Sequence, residues 1–491
     1  MDMQIWLADA IGRRYGHFID GAWEEPGART TPIYNPANRD QLLGHFTEGT
    51  ADDVERAVRA AHRAFLDWRE MPGPDRGAML FRVADILEQR VEELAFTLSA
   101  EQGKVLAESR GEVMRAAKEM RFSAGEASRM DGVTLPSEKR NGFAMTFREP
   151  IGVVAAIAPW NFPVVTPIRK IGPALAYGCT VVMKPSEFTP WSAVRLMDVF
   201  RDAGIPIGVV NLVTGSGRAV GEPLTRHPLV RGVSFTGSTR TGAEINAQAA
   251  RRFARAQLEM GGKNPAVVLG YKDAAAVARQ ISSAAFACSG QRCTALSRVI
   301  VLDSLADELG EALAAELSAI RVGPAWDPNA TMGPLITDQH RVSVLRNIAA
   351  GLDEGARLRL GGRPLEDGDL AKGWFLEPTL IDTVRPDTRL AREEVFGPVL
   401  AVVAVPNADE AFRVANSVEY GLAASIFTRD VDDAWRFVRE SQSGMVHVNH
   451  GTASEAHLPF GGVKGSGFGP YSIGHSNQEF FTELKAVYLQ S

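Results

Sequence analysis

The sequence is poor in cysteine, has no excess of basic residues and contains no long apolar run. Its three cysteines, Cys179, Cys288 and Cys293, are too few for a disulfide framework and favour a reducing, cytoplasmic location. Lys and Arg number 53 against 59 Asp and Glu, and the net charge of −6 argues against a nucleic-acid partner. The N-terminus has no apolar stretch typical of a secretory signal, and the longest apolar runs reach about half of a bilayer-spanning length. We therefore expect no membrane partner.

What is present indicates a folded protein with several domains. Hydrophobic residues make up 45% of the chain and charged residues 23%, which are ordinary values for a globular protein. The length of 491 residues suggests roughly three domain-sized units. Three helices are predicted at residues 51–69, 76–102 and 108–130, where apolar positions recur with a helical period. A short polar hairpin is predicted at residues 135–150, and a strand in the tail at residues 480–489.

Apolar runs alternate with helical patterns in the middle of the chain. Short turns join the runs to the helices, which predicts a parallel sheet with right-handed crossovers, an architecture typical of nucleotide binding. The same alternation restarts after residue 262. The predicted fold class is therefore α/β, with a Rossmann-like domain followed by a second α/β domain. The runs of the first domain lie at residues 153–158, 179–183, 209–213, 230–235 and 257–260.

Cys293 is the candidate nucleophile. A free cysteine is most often a small buried hydrophobe, and Cys288 is given that structural interpretation. Cys293 instead follows Ser-Gly-Gln-Arg, a polar, glycine-containing stretch that indicates a loop. Arg292 would favour a thiolate if its side chain pointed toward the sulfur.

A carboxylate and an amide are further candidates. Glu259 lies between Leu258 and Met260 at a predicted strand end, so it is either ion-paired with Lys263 or a general base. Asn161, in Pro-Trp-Asn-Phe-Pro, follows a predicted parallel strand and is either a turn cap or an oxyanion donor. Two glycine-rich turns, at residues 215–221 and 237–242, compete as phosphate sites, and neither matches G-x-G-x-x-G.

Together these segments closely resemble the aldehyde dehydrogenase superfamily. The matching motifs occur in the family's order and span about residues 15–489. The resemblance implies that Cys293 attacks the aldehyde, that Asn161 and the Cys293 N–H hold the oxyanion, that Glu259 activates the hydrolytic water and that Lys170 serves proton release. The motifs are Pro-Trp-Asn-Phe-Pro at 159–163, Lys-Pro-Ser-Glu at 184–187, Phe-Thr-Gly-Ser-Thr at 235–239, Leu-Glu-Met-Gly-Gly-Lys at 258–263, Gly-Gln-Arg-Cys-Thr at 290–294, Glu-Glu-Val-Phe-Gly-Pro at 393–398 and Pro-Phe-Gly-Gly-Val-Lys at 459–464.

The resemblance also implies a nicotinamide dinucleotide cofactor. Lys184 and Glu187 match positions on the adenosine ribose, and Glu394 matches the position on the nicotinamide ribose. Because a carboxylate at Glu187 accepts hydrogen bonds from a 2′-hydroxyl and repels a 2′-phosphate, we expect NAD to be preferred, with NADP use left open. The full set of matched cofactor residues is Trp160, Lys184, Glu187, Gly217, Gly221, Phe235, Gly237, Ser238, Thr241, Gly242, Gly261, Glu394 and Phe396.

Domain limits and assembly follow from the same resemblance. It implies an NAD(P)-binding domain at residues 1–130 and 151–258, and a catalytic domain at residues 259–465. An oligomerisation element would comprise residues 131–150 and 466–491. Because exposed strand edges of that kind are usually covered by pairing, we expect a homodimer or homotetramer.

The resemblance implies a small-molecule aldehyde as the substrate, and two arginines bear on its charge. Arg169 occupies a position where succinic semialdehyde dehydrogenases carry an arginine that binds the distal carboxylate, and Arg292 is a second candidate cation. Glu455 would repel an anion or neutralise Arg169, and His457 lies in the same loop. An anionic semialdehyde is favoured over neutral aldehydes. A CoA-acylating enzyme is the alternative, against which Glu259 argues, and a catalytically inactive relative is disfavoured by the retained catalytic residues.

A metal site is not expected. His447, His450 and His457 lie near one another in the sequence but lack the ligand spacing of a zinc site. They are expected to line the mouth of a substrate tunnel or to cap turns.

Overall fold

The computed structural model describes residues 2–490 and places the apolar runs of the sequence in two large, mainly parallel sheets. Helices cover the faces of both sheets, as expected when parallel strands are joined by crossovers. The helices are α1 Met3–Ala10, α2 Ala51–Trp68, α3 Gly73–Gln89, α4 Val91–Gln102, α5 Leu106–Glu126, α6 Val165–Ala176, α7 Pro190–Asp202, α8 Glu222–Arg226, α9 Thr239–Ala250, α10 Ala274–Phe286, α11 Ala306–Ser318, α12 Asp338–Asp353, α13 Arg389–Arg392, α14 Ala408–Asn416, α15 Val431–Glu440 and α16 Gln478–Phe481.

The strands form five sheets, of which two carry the core. Their central strands are buried on both faces, which explains why they are continuous apolar runs rather than alternating ones. The strands are β1 Arg13–Tyr15, β2 Phe18–Ile19, β3 Ala22–Trp23, β4 Thr30–Asn35, β5 Asn38–Thr47, β6 Thr134–Pro136, β7 Gly142–Pro150, β8 Val153–Ile157, β9 Thr180–Lys184, β10 Val210–Leu212, β11 Val230–Thr236, β12 Arg255–Glu259, β13 Asn264–Val268, β14 Leu296–Leu302, β15 Arg357–Leu360, β16 Thr379–Asp382, β17 Val399–Val405, β18 Tyr420–Gly421, β19 Ala423–Phe427, β20 Met445–Val448, β21 Val463–Lys464, β22 Gly467–Phe468 and β23 Thr482–Gln490.

The first large sheet has the order β22-β12-β11-β8-β9-β10-β2-β3, and its five middle strands are parallel. The chain runs outward from β8 through β9 to β10 and then returns to place β11 on the other side of β8. The carboxyl ends of β8 and β11 therefore form a topological switch point, the place where open α/β sheets bind ligands.

The second large sheet has the order β15-β16-β17-β14-β13-β19-β20 and is parallel except at β15. It receives the chain directly from the first sheet, because only four residues separate the end of β12 from the start of β13. The turn that contains Cys293 comes just before β14. The carboxyl end of the first sheet therefore faces the amino end of the second. The predicted α/β fold class with two α/β units is confirmed.

A third, antiparallel sheet joins the predicted hairpin to the predicted tail strand. β7 pairs with β23 along its whole length, from Thr482 opposite Pro150 to Gln490 opposite Gly142, and with β6 on its other side. Several large apolar side chains of this sheet are exposed, among them Leu135, Phe143 and Tyr488. The domain limits themselves stay a prediction.

Three predicted element boundaries are wrong. The helix predicted at residues 76–102 is two helices that meet at Arg90, whose backbone leaves the helical region (φ −102°, ψ 20°). No proline or glycine marks that break in the sequence. α5 ends at Glu126 rather than at residue 130, and the tail begins with the helical turn α16 before β23 starts.

Candidate active site

The candidate site is a cavity of about 970 Å³ at the switch point of the first sheet. It lies between the turn after β8, the turn after β11 and the loop before β14, and this volume is at the upper end of the range for small-molecule sites. Asn161, Cys293 and Glu394 all line it, as do the glycine turns at residues 217–221 and 237–242. The structure thus brings together predicted residues that are up to about 230 positions apart in the chain.

Cys293 lies in a turn just before β14, as the polar sequence around it predicted. Asn264 at the start of β13 donates its amide to the Cys293 carbonyl at 2.7 Å, which fixes the backbone of the nucleophile. Burial, together with the charges of Glu259 and Glu394, raises the pKa of the Cys293 thiol to about 12, whereas Arg169 and Arg292 oppose the rise. The sulfur is therefore held as a thiol and needs a proton acceptor when it reacts.

Asn161 is buried beside the loop that carries Cys293. Its Nδ2 donates to the carbonyl of Gln291 at 2.9 Å, two residues before the nucleophile. An amide Nδ2 has two hydrogens, and within residues 2–490 only this one acceptor is recorded for it. The remaining hydrogen suits an oxyanion formed on a carbonyl carbon that is bound to Cys293.

Glu259 ends β12 and is held by two hydroxyl groups. Ser472 donates to its Oε1, and Thr236 donates to its Oε2 at 3.2 Å. These partners replace the ion pair with Lys263 that the sequence left open. Burial raises the pKa of the Glu259 carboxyl above its ordinary value, although Lys170 and Arg169 oppose the rise. A carboxylate with a raised pKa is a better general base near neutral pH.

Lys170 continues this hydrogen-bonded chain from α6. Its Nζ donates to Thr236 Oγ1 at 2.8 Å and to Ser234 Oγ at 3.2 Å. Burial lowers the pKa of Lys170 to about 8. Glu259, Thr236 and Lys170 therefore form a continuous path along which a proton can leave the site.

The floor of the cavity is built from glycines where no Cβ fits. A Cβ on Gly242 would lie 2.3 Å from Met260 Sδ, and one on Gly237 would lie 2.5 Å from the Phe235 ring. Ser238 caps α9 by accepting the Thr241 N–H, so the N-terminus of this helix opens onto the cavity. This arrangement fits a dinucleotide, whose pyrophosphate suits helix N–H groups and close backbone approach.

The two ends of the cavity differ in chemistry. At one end Glu394 accepts the Gly262 N–H at 2.8 Å, and burial raises the pKa of its carboxyl to about 7. Beside it, the Phe396 ring packs edge-on against Trp160 at 5.4 Å. A Cβ on Gly261 would lie 2.3 Å from Glu394 Oε2, so this backbone must approach closely.

At the other end, Lys184 is buried and Glu187 is exposed. Lys184 Nζ donates to the Pro185 carbonyl at 2.7 Å, and burial lowers its pKa to about 8. Gly217 and Gly221 bound a short π-helical turn that lines the same end. A carboxylate and an ammonium next to an open turn suit the hydroxyl groups of a ribose.

Comparison with known proteins shows which family the chain belongs to. The model of the aldehyde dehydrogenase family matches residues 23–487. The chain belongs to the aldehyde dehydrogenase family. The predicted family and enzyme class are therefore confirmed.

Three relatives show how far the likeness to this aldehyde dehydrogenase extends. An α-ketoglutaric semialdehyde dehydrogenase from Bacillus subtilis is 40% identical, over 97% of this chain and 98% of that relative. The solved structure of Staphylococcus aureus betaine aldehyde dehydrogenase in complex with NAD+ is 34% identical, covers 99% of this chain and 96% of its own, and has a TM-score of 0.95. An NADP-dependent enzyme from E. coli is 35% identical, covers 99% of both chains and also has a TM-score of 0.95.

Arg169 of this aldehyde dehydrogenase is paired, but not with the residue considered from the sequence. It donates to both oxygens of Glu119 on α5, at 2.8 and 3.0 Å, and lies 4.4 Å above the Phe460 ring. Phe460 belongs to the small apolar cluster against which Cys293 packs. Glu455, the partner considered for Arg169, is exposed and lies 3.4 Å from His457 instead.

Arg115, which the sequence analysis missed, shares the same carboxylate. Its Nε donates to Glu119 Oε1 at 2.7 Å, and its Nη2 donates to Ser454 Oγ at 3.0 Å. Two guanidinium groups thus share one carboxylate, which leaves one unit of positive charge in this cluster. We call Arg115, Glu119 and Arg169 the arginine cluster.

Arg292 directs its hydrogen bonds to a carbonyl and a hydroxyl group, and its charge is among those that oppose the raised pKa of the Cys293 thiol. Its Nη2 donates to the Ala284 carbonyl at 3.0 Å and to Thr452 Oγ1 at 3.2 Å, and its Nε is buried without an acceptor. His340, another residue the sequence did not single out, lines the cofactor cavity and bonds the Phe396 carbonyl at 2.7 Å. The sequence carries one signal for part of the surroundings of Arg169, which is the seven-residue spacing of Glu112, Glu119 and Glu126 on α5.

The structure also bears on the expectations for metal sites and membrane-spanning segments. Residues 2–490 contain no group of three or more His, Cys, Asp or Glu side chains that could hold a metal ion. His447 and His450 stack at 6.2 Å, and His447 bonds the Ala453 carbonyl within its own loop. Over the same range, no helix has the length and apolar character needed to cross a membrane.

Proposed function

We propose that this enzyme oxidises an aldehyde with an anionic distal group to the carboxylic acid, with NAD as the preferred cofactor. The observation that carries the proposal is the arginine cluster, which has two cations and one anion and reaches the nucleophile through Phe460. A substrate carboxylate would supply the second anion and bind a guanidinium in a bidentate manner. The B. subtilis relative, named as an α-ketoglutaric semialdehyde dehydrogenase, acts on a substrate of this class.

In the proposed reaction, Cys293 attacks the aldehyde carbon and forms a thiohemiacetal. Asn161 Nδ2 and the Cys293 N–H hold the oxyanion, and the cost of charge development falls because both donors are preorganised. The thiol proton leaves to water in the cavity as the carbon–sulfur bond forms, and the charges of Arg169 and Arg292 favour the thiolate that results. A nicotinamide dinucleotide in the cavity would supply the hydride acceptor, so that oxidation would leave the acyl group as a thioester on Cys293.

Glu259 then takes a proton from water, and the hydroxide so formed hydrolyses the thioester. The proton leaves along Thr236 to Lys170, whose pKa of about 8 allows it to exchange protons near neutral pH. Hydrolysis through Glu259 distinguishes this mechanism from the CoA-acylating alternative, in which CoA would take the acyl group. The two-step route divides one difficult reaction into two easier ones.

For the cofactor we propose that Lys184 and Glu187 bind the adenosine ribose and that Glu394 binds the nicotinamide ribose. The exposed Glu187 carboxylate disfavours a 2′-phosphate, so NAD should give a higher kcat/KM than NADP. A higher kcat/KM with NADP would contradict this assignment. The S. aureus relative binds NAD+ and the E. coli relative is NADP-dependent, so both outcomes occur among relatives.

A cationic aldehyde is the competing substrate class, because the S. aureus relative is named as a betaine aldehyde dehydrogenase. A quaternary ammonium group prefers the faces of aromatic rings. Here the face of Phe460 is already covered by the Arg169 guanidinium, and the arginine cluster repels a second cation. The geometry therefore favours an anionic aldehyde over betaine aldehyde.

We also propose a homodimer or homotetramer in the cytoplasm. The exposed apolar side chains on the sheet of β6, β7 and β23 support assembly, since a long uncovered strand edge favours association. All three cysteines are free, which supports a reducing compartment. Light scattering at micromolar protein concentration that gave a monomer would contradict the assembly.

Substrate choice is tested by kcat/KM for succinic semialdehyde, 2,5-dioxopentanoate, butyraldehyde, benzaldehyde and betaine aldehyde. The wild type should prefer the two anionic aldehydes. Arg169→Leu should cost these substrates about 2–5 kcal/mol of transition-state stabilisation and the neutral aldehydes much less. A wild-type preference for neutral or cationic aldehydes, or an equal loss on all five, would contradict the proposal.

A further inference from the structure

Three glutamates spaced seven residues apart on α5 attach this helix to α6. Glu119 pairs with Arg169 in the middle of α6, and Glu126 accepts the hydroxyl of Tyr177 just after its end at 3.2 Å. Glu112 reaches the start of α6. Because residues seven apart lie on one face of a helix, the three carboxylates follow the length of α6. Only the first of them adjoins the turn that carries Asn161.

Glu112 binds the start of α6 through backbone groups. Its Oε1 accepts the N–H groups of Val164 and Val165 at 2.9 and 3.0 Å. These N–H groups have no acceptor within their own helix, and a carboxylate there also stabilises the helix dipole. Asn161 lies three residues before this cap, so the cap fixes where the turn enters α6.

Lys104 ties the same carboxylate to Asn161 itself. Its Nζ donates to Glu112 Oε2 at 2.6 Å and to the Asn161 carbonyl at 2.8 Å, and it lies 4.0 Å from the centre of the Phe162 ring. Both side chains of the ion pair are 1% exposed. Burial acts to lower the pKa of Lys104, but nearby anionic groups including Glu112 hold it above its ordinary value.

We propose that the buried Lys104–Glu112 pair positions Asn161 for oxyanion binding. Lys104 fixes the carbonyl of Asn161, Glu112 fixes the backbone three and four residues later, and Gln291 fixes the side-chain amide. The peptide plane that follows Asn161 and the Asn161 side-chain amide are thereby held relative to the loop of Cys293. Neither Lys104 nor Glu112 contacts the reacting atoms, so both are positioning residues.

An ion pair suits this task better than an apolar contact. A buried pair of charges contributes little net stability compared with well-packed apolar side chains, so its value lies in direction. Lys104 and Glu112 each form hydrogen bonds with main-chain groups of the same turn, and such charge-assisted bonds are short and directional. A displacement of the amide by about 1 Å would cost up to about a hundredfold in rate.

The inference rests on the proposed role of Asn161, and a double-mutant cycle tests the two separately. Asn161→Ala should lower kcat by about 10²–10³-fold, as for loss of an oxyanion donor. Lys104→Met in the wild-type background should lower kcat by about 10–100-fold with the dissociation constant for NAD unchanged. In the Asn161→Ala background the same Lys104→Met change should lower kcat by less than about threefold, since the positioned amide is gone.

Two further variants guard against a purely structural effect. The double variant Lys104→Met/Glu112→Gln replaces the charges with neutral side chains of similar size, so it leaves no unpaired buried charge and should fold with the kcat loss of Lys104→Met. Glu126→Gln is the matched control, because Glu126 is equally buried on the same face of α5 but lies far from Asn161. It should lower the melting temperature and leave kcat unchanged.

The outcomes separate the positioning role of the Lys104–Glu112 pair from the oxyanion role of Asn161. A full loss of kcat on Lys104→Met in the Asn161→Ala background, or a kcat loss in Glu126→Gln equal to that in Lys104→Met, would overturn the positioning role. Unchanged kcat in both Lys104 variants would also overturn it. Unchanged kcat in Asn161→Ala alone would instead refute the oxyanion role of Asn161 in the proposed function.

Discussion

Replacement of Glu119 by Gln tests the arginine cluster most sharply, because it changes stability and specificity in opposite directions. The Glu119 side chain is 2% exposed and accepts from Arg169 at 2.8 and 3.0 Å and from Arg115 at 2.7 Å. Glutamine keeps the size but removes the charge, so the two guanidiniums lose the carboxylate that they share, and Glu259 remains as the anion near Arg169. Loss of one partner of a buried ion pair typically costs about 3–5 kcal/mol of unfolding free energy.

The same change should sharpen the preference for anionic aldehydes. With Glu119 neutral, the cluster carries two positive charges instead of one, so a substrate carboxylate is attracted more strongly. The ratio of kcat/KM for succinic semialdehyde to that for butyraldehyde should therefore rise above the wild-type ratio. Arg169→Leu should move the ratio the other way.

The assay combines denaturant unfolding with steady-state kinetics on the two aldehydes. Glu92→Gln is the matched control, because Glu92 makes the same bidentate contact with Arg110 at 2.7 and 2.8 Å, but both side chains are 44% exposed. This exposed pair should contribute less than about 1 kcal/mol. Equal stability of Glu119→Gln and wild type, or a fall in the anionic-to-neutral ratio, would refute the reasoning about the cluster.

The remaining predictions concern the nucleophile and the base. Cys293→Ser should abolish aldehyde oxidation without loss of cofactor binding. Cys288→Ser, which changes a buried thiol whose pKa is raised to about 11, should keep most activity. Reversed outcomes in a steady-state assay would exchange the two assignments. Because burial raises the pKa of Glu259, and the base acts as the carboxylate, turnover should be low in acid and rise with pH through a midpoint above the ordinary value of 4.5. When hydrolysis limits turnover, a kcat that stays constant from about pH 5 to about pH 8 would contradict this role of Glu259.

Local sequence patterns were sufficient to predict the fold class and to mark Cys293, Asn161 and Glu259 as candidate residues, whose roles the family resemblance then implied. The buried parallel strands are unbroken apolar runs. Cys293 stands in a polar turn before β14, and Asn161 stands in a turn bounded by prolines after β8. Both kinds of signal are local, so they survive without knowledge of the tertiary structure.

Partnerships across the chain could not be predicted. Glu119 lies 50 residues from Arg169, and Ser472 lies 213 residues from Glu259, so nothing local indicates that either pair meets. Lys263 is a candidate partner of Glu259 because the two are close in sequence. Glu455 is a candidate partner of Arg169 because the family resemblance places its loop at the substrate site. The break between α3 and α4 at Arg90 was missed because no glycine or proline marks it.

The central claim is that the reaction passes through an acyl group on Cys293 that Glu259 then releases, and one measurement tests it directly. Glu259→Gln, mixed with NAD and succinic semialdehyde, should give a single-turnover burst of reduced cofactor followed by little steady turnover, since hydride transfer precedes hydrolysis. Mass spectrometry of the quenched protein should then find one acyl group on the peptide that contains Cys293. Full steady-state turnover of Glu259→Gln, or a burst without an acyl adduct on that peptide, would contradict the account.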